Sequence, residues 1–246
     1  MKIIITGATG RMGQKMQEVA RETGTEVAAL VSPDFAKTEG FNYQHINEFD
    51  GTADCVVDFS NHLGTVELLD WCVKKNVPIV VATTGHTEEE KQAIETASKK
   101  IAVFYSGNMS LGIATLCNVA RRVASAFPKA DIEIMEVHHN KKLDAPSGTA
   151  LMLANALKDV KADALFAIGR SGNCPRQKNE IGIQSIRMGN IVGIHEIMIS
   201  TGSETITLKH EAHDRKLFAD GAIEAAKFLL GKPAGLYSIE QLVNKN

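Results

Sequence analysis

Residues 2–13 read KIIITGATGRMG, a short apolar segment followed at once by three glycines, Gly7, Gly10 and Gly13. The apolar run from Lys2 to Thr6 is typical of a strand in a parallel sheet that is covered on both faces, and a helical pattern follows through about Arg21. Glycines allow a tight turn and the close approach of a pyrophosphate, and the helix N-terminus favours its negative charge. The stretch therefore predicts a dinucleotide-binding turn, although its GxxGxxG spacing is not the commoner GxGxxG and glycines also form ordinary turns.

Strands and helices alternate regularly after this turn. A capping box at Thr87 and Glu90 starts one of the helices, and another spans about 65–75. The predicted strands are Glu26–Val31, Asp54–Phe59, Val77–Ala82 and Ile101–Tyr105. This alternation predicts a parallel α/β sheet of the Rossmann type.

The pattern changes after residue 110. A helix over 111–126 leads into a strand, Asp131–His139, and then into a helix that begins at Ser147. Strand-like stretches follow without intervening helices, at about 165–168, 183–187, 192–200 and 205–211. Strands in succession predict a smaller α+β unit with a mainly antiparallel sheet. The amphipathic helix at 218–230 could pack back on the first sheet, but periodicity alone cannot show this.

Residues 136–150 read EVHHNKKLDAPSGTA and gather several kinds of chemistry. His138 and His139 can carry protons near neutrality, and Lys141 and Lys142 can donate protons or hold anions. Neighbouring side chains on a strand point to opposite faces, so the two histidines should have different roles. Either lysine could donate a proton, and the other would then be a solvated surface charge.

A helix begins within the same stretch. The N-terminus at Ser147, with Gly148 and Thr149, suits a carboxylate or a phosphate, but Ser147 could equally serve only as the helix cap. Asp144 could orient a neighbour or serve the turn before Pro146, and the turn is favoured.

The ends of the other strands carry small and polar residues, at Ala82–Thr84 and Ser106–Met109. Ligands of open parallel sheets bind beyond the carboxyl ends of the strands. These segments could line the nicotinamide end of a site, or they could be ordinary turns. After the second strand come Val31, Ser32, Pro33 and Asp34, which leave the choice between NAD and NADP open.

Composition excludes several classes of function. The chain has 246 residues and a formal net charge of -2, so no bulk field would attract nucleic acid or a membrane. The apolar runs are too short to span a bilayer. Four scattered cysteines form no CxxC pair, so we expect neither a metal site nor disulfides, and we expect a cytoplasmic protein with reduced thiols.

Several motifs together resemble the 4-hydroxy-tetrahydrodipicolinate reductase family, and the likeness runs nearly end to end. They are GATGRMG at 7–13, ATTG at 82–85, SGNMSLG at 106–112, EVHHNKKLDAPSGTA at 136–150, RMGNIVGIHE at 187–196 and RKLFADGAIEAA at 215–226. The resemblance implies NADH- or NADPH-dependent reduction of a cyclic dicarboxylate in diaminopimelate and lysine biosynthesis. It also implies a nucleotide domain at 1–109 and 215–246, a substrate and tetramerisation domain at 110–214, and a homotetramer.

The resemblance assigns roles by motif position. His138 matches the proton donor/acceptor and Lys142 the proton donor, and His139, Gly148 and Thr149, beside Ser147, match substrate contacts. The residues that match cofactor contacts are Gly7, Ala8, Thr9, Gly10, Arg11, Met12, Ala82, Thr83, Thr84, Ser106, Gly107, Asn108 and Met109. The chain departs from the family where an acidic and a basic residue often follow the second strand, because it has Val31 and Ser32 there.

Two rival interpretations use the same fold. One is another dehydrogenase with a Rossmann domain and an α+β domain, such as a homoserine or aspartate dehydrogenase. The other is a dinucleotide sensor that has lost catalysis, although a sensor would not need His138, His139 and Lys142.

Overall fold

The computed structural model describes residues 1–244, and its contacts divide the chain into two compact units. The first comprises Met1–Leu111 together with the described residues from Arg215 onward, and the second is Gly112–Asp214. Residues 245–246 of the predicted nucleotide domain lie outside the described residues. The roles predicted for the two domains stay predictions at this point.

The helices and strands are numbered in chain order. The first part of the chain contains β1 (Lys2–Thr6), α1 (Arg11–Glu22), β2 (Glu26–Val31), β3 (Asn42–Tyr43), β4 (Cys55–Asp58), α2 (Thr65–Lys75), β5 (Ile79–Val81), α3 (Glu88–Ser98), β6 (Ala102–Tyr105) and α4 (Leu111–Ala126). The remainder contains β7 (Asp131–His138), α5 (Gly148–Lys158), β8 (Leu165–Ile168), β9 (Glu180–Arg187), β10 (Gly193–Ser200), β11 (Thr205–Ala212), α6 (Lys216–Leu229), β12 (Gly235–Tyr237) and α7 (Ile239–Val243). Within the described residues, no helix is both long enough and apolar enough to cross a membrane.

The first unit is built on a seven-stranded sheet with the order β12-β6-β5-β4-β1-β2-β3, in which every pairing is parallel. The chain reverses its direction of travel across the sheet between β1 and β4, which is where open α/β sheets bind ligands. Ile3, Ile4 and Ile5 of β1 are fully buried, as expected for a central strand. The sequence patterns missed β3 and β12, which are too short to show a period.

The helix α6 belongs to this first unit. It packs on α1 and on the strands β4, β5 and β6. The approach is close at Gly221, where a Cβ would lie 1.8 Å from the carbonyl oxygen of Met109. A small residue is therefore required where this late helix meets the loop after β6.

The second unit contains a five-stranded sheet with the order β11-β10-β7-β9-β8. The ladders of β10 with β11 and β7 are antiparallel and make up the larger share of the pairing, whereas β9 pairs in parallel with β7 and β8. The parallel part arises because two connections return the chain to the same end of the sheet, α5 between β7 and β8 and residues 169–179 between β8 and β9. The predicted fold class, a Rossmann-type sheet plus a second unit with a mostly antiparallel sheet, is confirmed.

One face of the second sheet changes character along its strands. Its apolar part carries isoleucines that pack with α4 and α5 in one core: Ile132, Ile134, Ile181, Ile183, Ile197 and Ile199. Farther along the same face the register places Glu136 beside His195, and His138 beside Arg187. The polar end of this face positions the site described below.

Candidate active site

The glycines of the first turn have three separate tasks. Gly7 has a φ of +71°, and a Cβ there would lie 2.4 Å from the carbonyl oxygen of Phe59. At Gly13 a Cβ would lie 2.1 Å from the Gly7 oxygen, so this glycine lets α1 pack close to β1. Gly10 precedes α1, no side chain of the described residues caps the helix there, and the nearest atom to a Cβ is 3.2 Å away. The turn thus presents an open helix N-terminus with room for a phosphate, which fits a dinucleotide.

A cavity of about 420 Å³ opens beside this turn, within the first unit. Gly7, Thr9 and Gly10 line one side, and the segment Val31–Asp34 after β2 lines another. In a Rossmann-type sheet the adenosine half of a dinucleotide lies beyond the second strand. The cavity therefore fits the adenosine half in position and shape.

Asp58, at the carboxyl end of β4, is fully buried and ties three strand ends together. Its carboxylate accepts hydrogen bonds from Thr6 Oγ1 at 2.5 Å, from Ser60 N and Oγ at 3.0 and 2.6 Å, and from Thr83 Oγ1 at 2.8 Å. These donors follow β1, β4 and β5, so one carboxylate fixes the edge where the glycine turn and the Ala82–Thr84 segment lie. Sequence reasoning missed Asp58, whose only signal was an acid ending an otherwise apolar strand.

The two other segments with predicted cofactor contacts lie side by side. The Ser106 N–H donates to the Val81 carbonyl, 3.2 Å away, and a Cβ at Gly107 would lie 3.9 Å from Thr84 Cγ2. Ser106 Oγ also donates to the Asn108 carbonyl at 2.7 Å. The structure thus brings Ala82–Thr84 and Ser106–Met109 together at one edge of the first sheet.

In the second unit, a buried glutamate holds the first histidine. Glu136 and His138 lie two residues apart on β7, and His138 Nδ1 is 2.5 Å from Glu136 Oε2. The Arg187 guanidinium grips the same carboxylate through two hydrogen bonds of 2.8 Å, and the Ser147 N–H donates to it at 3.1 Å. Glu136 is fully buried and Arg187 lies opposite His138 in the parallel register of β7 and β9.

The charge of Glu136 is strongly favoured. Burial by itself would raise the pKa of this carboxyl, but the hydrogen bonds from His138 and Arg187 outweigh burial and hold the pKa well below its ordinary value. Because the carboxylate accepts from Nδ1, the imidazole carries its proton there and leaves Nε2 for proton exchange. A Cβ at Gly193 would lie 3.0 Å from this Nε2, so a glycine is needed beside it.

Ser147 is both a helix cap and a link to a further histidine. Its Oγ accepts from the Ala150 N–H at 3.2 Å, which caps α5, and hydrogen-bonds His195 Nε2 at 3.1 Å. Burial, and then the proximity of His138, lower the pKa of His195 to about 3, so this imidazole is neutral near pH 7. The His138 and His195 rings pack edge to face with centroids 5.1 Å apart.

Lys142 lies in an ion pair with Asp144, with 2.8 Å between Nζ and Oδ1. The hydrogen bond from Lys142 lowers the pKa of the Asp144 carboxyl. The Asp144 carbonyl also accepts from Arg187 at 2.6 Å, so this loop is tied to the Glu136 cluster. Asp144 therefore contacts a neighbouring side chain, Lys142, as well as lying in the loop before Pro146, and its role stays a prediction.

The remaining predicted residues of the second unit lie on the segment from the end of β7 to the first turn of α5. His139 follows the end of β7 and its N–H donates to the Ile191 carbonyl at 2.8 Å. Gly148 is exposed at the start of α5, where a Cβ would meet nothing within 4 Å, and Thr149 follows it. Lys141 is exposed, in line with the surface role expected for it. Sequence analysis missed three residues of this cluster, Glu136, Arg187 and His195. The spacing of two residues between Glu136 and His138 on a strand already indicated that these two side chains share one face.

Comparison with known protein families matches both parts of the chain. Residues 1–109 match the family model for the dihydrodipicolinate reductase N-terminus, and residues 112–243 match the model for the C-terminus.

Individual relatives agree with this match. The chain is 42% identical to the 4-hydroxy-tetrahydrodipicolinate reductase of Caldanaerobacter subterraneus over 100% of this chain and 99% of the relative. It is also 42% identical to the reductase of the same name from Clostridium novyi, over 98% of each chain. Among solved structures, the dipicolinate-bound dihydrodipicolinate reductase of Paenisporosarcina sp. TG-14 superposes with a TM-score of 0.81 at 23% identity, over 97% of each chain.

Proposed function

Because this chain belongs to the dihydrodipicolinate reductase family and catalyses the NAD(P)H-dependent reduction of 4-hydroxy-tetrahydrodipicolinate in diaminopimelate and lysine biosynthesis, we propose which of its residues carry out each part of the reaction. The observation that carries the proposal is the buried Glu136, which holds His138 and the start of α5 at the same time. A proton carrier and a carboxylate-binding helix N-terminus are thereby fixed to one anchor.

His138 and Lys142 are the proton-handling residues of this proposal. Glu136 holds the Nδ1 proton of His138, so the Nε2 atom exchanges protons with the substrate. Asp144 orients the Lys142 ammonium, which donates the proton that the reduction consumes.

The first turn of α5 binds a substrate carboxylate. The substrate is a cyclic dicarboxylate, and a helix N-terminus offers free N–H groups and a positive dipole end to such an anion. Gly148 leaves open space for the close approach, Thr149 adds an N–H and a hydroxyl, and His139 contributes from the end of β7. Ser147 keeps this helix start in place through its bonds to Glu136, Ala150 and His195.

The first unit holds the cofactor. A bound nicotinamide supplies the hydride. The glycine turn, from Gly7 to Met12, receives the pyrophosphate, and Ala82–Thr84 with Ser106–Met109 hold the nicotinamide end. Asp58 keeps the first two of these three segments in register because its carboxylate bonds Thr6 and Thr83.

A matched set of lysine and histidine variants tests the proton carriers. We expect His138→Ala and Lys142→Ala to lower kcat by roughly 10² or more, whereas Lys141→Ala, an exposed neighbour, should stay within about twofold of wild type. Rates are followed as nicotinamide oxidation, with the unstable substrate generated enzymatically in the cuvette. Near wild-type kcat in both His138→Ala and Lys142→Ala would remove the assignment.

The carboxylate site is tested by Gly148→Val. Because a Cβ at this position meets no atom of the described residues within 4 Å, the variant should melt like wild type. It should nevertheless raise the substrate KM by about tenfold, since its side chain occupies the space of a carboxylate. An unchanged KM would count against the contact.

We also propose that the chain forms a homotetramer in the cytoplasm. In support of the oligomer, the face of the second sheet turned away from α4 and α5 exposes apolar side chains, among them Leu165 and Ile186. Exposed apolar patches commonly mark protein contacts. Sedimentation analysis of the purified chain tests this proposal, and a monomer at micromolar concentration would overturn it.

A further inference from the structure

The geometry points to Asp34 as the residue that selects NADH over NADPH, an inference that rests on the cofactor role proposed above. The two cofactors differ only at the adenosine ribose, where NADPH carries a 2′-phosphate in place of a hydroxyl. An acidic side chain there accepts from the ribose hydroxyls, and a basic one pairs with the phosphate. The choice is therefore decided by which charged groups line the cavity beyond β2.

The position of Asp34 suits a ribose contact. It lies about 20 residues beyond the last glycine of the turn, the usual interval for the ribose-binding acid, and it lines the cavity together with Gly7, Thr9 and Gly10. In the sequence this acid comes three residues after the end of β2 at Val31. In the structure the chain folds back after β2 and brings the carboxylate to the glycine turn.

Hydrogen bonds fix the carboxylate in this place. Asp34 Oδ2 accepts from Thr9 Oγ1 at 2.8 Å and from Ser32 Oγ at 3.4 Å, and the Asp34 N–H is 3.3 Å from Ser32 Oγ. Thr9 and Ser32 are themselves linked at 2.7 Å. The other oxygen, Oδ1, accepts no hydrogen bond from the residues that the structure describes, so it is available to a ribose hydroxyl.

The charge of the cavity disfavours a 2′-phosphate. Among the described residues that line it, none is lysine or arginine, and two are acidic, Asp34 and Glu67. The nearest cation after Asp34 in the chain is Lys37, which lies outside the lining and pairs with Glu39 at 3.1 Å. A phosphate placed beside Asp34 would meet a like charge, and the described lining residues offer it no guanidinium or ammonium, which selects against it.

Two measurements on the full-length protein test the assignment. In wild type, kcat/KM with NADH should exceed that with NADPH by about tenfold or more, equivalent to about 1.4 kcal/mol. Calorimetry with ADP-ribose and 2′-phospho-ADP-ribose should show the same preference in Kd, and this readout does not depend on turnover. Equal or tighter binding of the phosphorylated fragment by wild type would overturn the inference.

Variants then test whether Asp34 causes the preference for the fragment without a 2′-phosphate. Asp34→Ala should bring the two Kd values to within about threefold, because it removes both the acceptor and the repulsion. Asp34→Asn keeps an acceptor without the charge, so it should gain affinity for the phosphorylated fragment and lose little for ADP-ribose. Asp50→Ala, at an exposed aspartate outside the cavity lining, is the matched control and should keep the wild-type ratio, with melting temperatures confirming that all variants fold.

The outcomes separate this inference from the proposed function. Turnover with either cofactor but no ribose discrimination, or an unchanged ratio in Asp34→Ala, refutes the role of Asp34 alone. Fragment discrimination that depends on Asp34, without any substrate-dependent oxidation, supports the role of Asp34 and refutes the proposed proton carriers.

Discussion

Each unit contains a fully buried carboxylate near the carboxyl end of a strand, Asp58 on β4 and Glu136 on β7. The two differ in what compensates the charge. Asp58 is surrounded by neutral donors, three hydroxyls and one backbone N–H. Glu136 is held by a guanidinium, an imidazole and the N–H that opens α5.

This difference separates a structural role, at Asp58, from a role in proton exchange, at Glu136. Hydroxyl donors cannot change charge near neutral pH, so the donors around Asp58 serve to hold strand ends together. The imidazole beside Glu136 can gain or lose a proton, so the second cluster couples a fixed negative charge to proton exchange. Four substitutions test this contrast, in order of decreasing expected effect.

Glu136→Ala should have the largest effect. It leaves the Arg187 guanidinium without its carboxylate, which typically costs about 3–5 kcal/mol, and it frees His138, so kcat should fall by roughly 10² or more. Urea unfolding and initial rates measure the two losses. Glu136→Gln keeps the shape but removes the negative charge that holds the Nδ1 proton of His138, so its kcat should also fall. Turnover equal to wild type in Glu136→Gln would break the contrast.

Asp58→Asn should cost about 1–3 kcal/mol, because an amide NH₂ then faces hydroxyls that need acceptors. The loosened strand ends should raise the KM for the cofactor. The shape of the pH profile of kcat should remain that of wild type, since Asp58 contacts no proton carrier in the described chain. A fall in kcat as large as that in Glu136→Gln would show that the two carboxylates share a role.

His195→Gln should change how stability depends on pH. Burial lowers the pKa of His195 to about 3, whereas an unfolded histidine has a pKa of about 6.5. The unfolded state therefore binds more protons between these values, and the stabilisation is complete above pH 6.5 and is lost as the pH falls towards 3. Between pH 7 and pH 5 the variant should lose about 2 kcal/mol less than wild type in urea unfolding. His45→Gln, at an exposed histidine, should follow wild type.

Ser147→Ala should have the smallest effect, about 1–2 kcal/mol, from loss of the α5 cap and of the bond to His195. The matched control is Thr87→Ala, which removes the exposed cap of α3 and should cost about 0.5–1 kcal/mol. Thermal unfolding compares the two. A cost at Ser147 no larger than that at Thr87 would show that the bond to His195 adds nothing.

Much of the fold could be predicted because its signals are local. The apolar strand before Gly7, the capping box at Thr87 and the continuous apolar runs each depend on a few neighbouring residues, and the strands and helices lie where these signals predict. The parallel half of the second sheet was harder to predict from the sequence. It depends on where α5 delivers the chain, which no window of sequence contains.

The residues of the candidate site also divide into those with a local sequence signal and those without one. His138, Lys142 and the helix start at Ser147 are adjacent in sequence and were found from their spacing. Arg187 and His195 reach the cluster through strand register, across about 50 residues of chain, and Asp34 reaches the glycine turn through a loop. Pairings between distant segments are set by the packed sheet and not by local pattern, so single-sequence reasoning has no signal for them.

The return of α6 to the first unit has a consequence for synthesis. The loop after β6 needs Gly221 against the Met109 carbonyl, yet more than 100 residues separate these two positions. On the ribosome, where domains generally fold as units from the N-terminus, the second unit is complete before α6 has been translated. The face of β4, β5 and β6 that α6 covers therefore stays exposed until α6 has emerged from the ribosome, and exposed apolar surface of this kind favours aggregation.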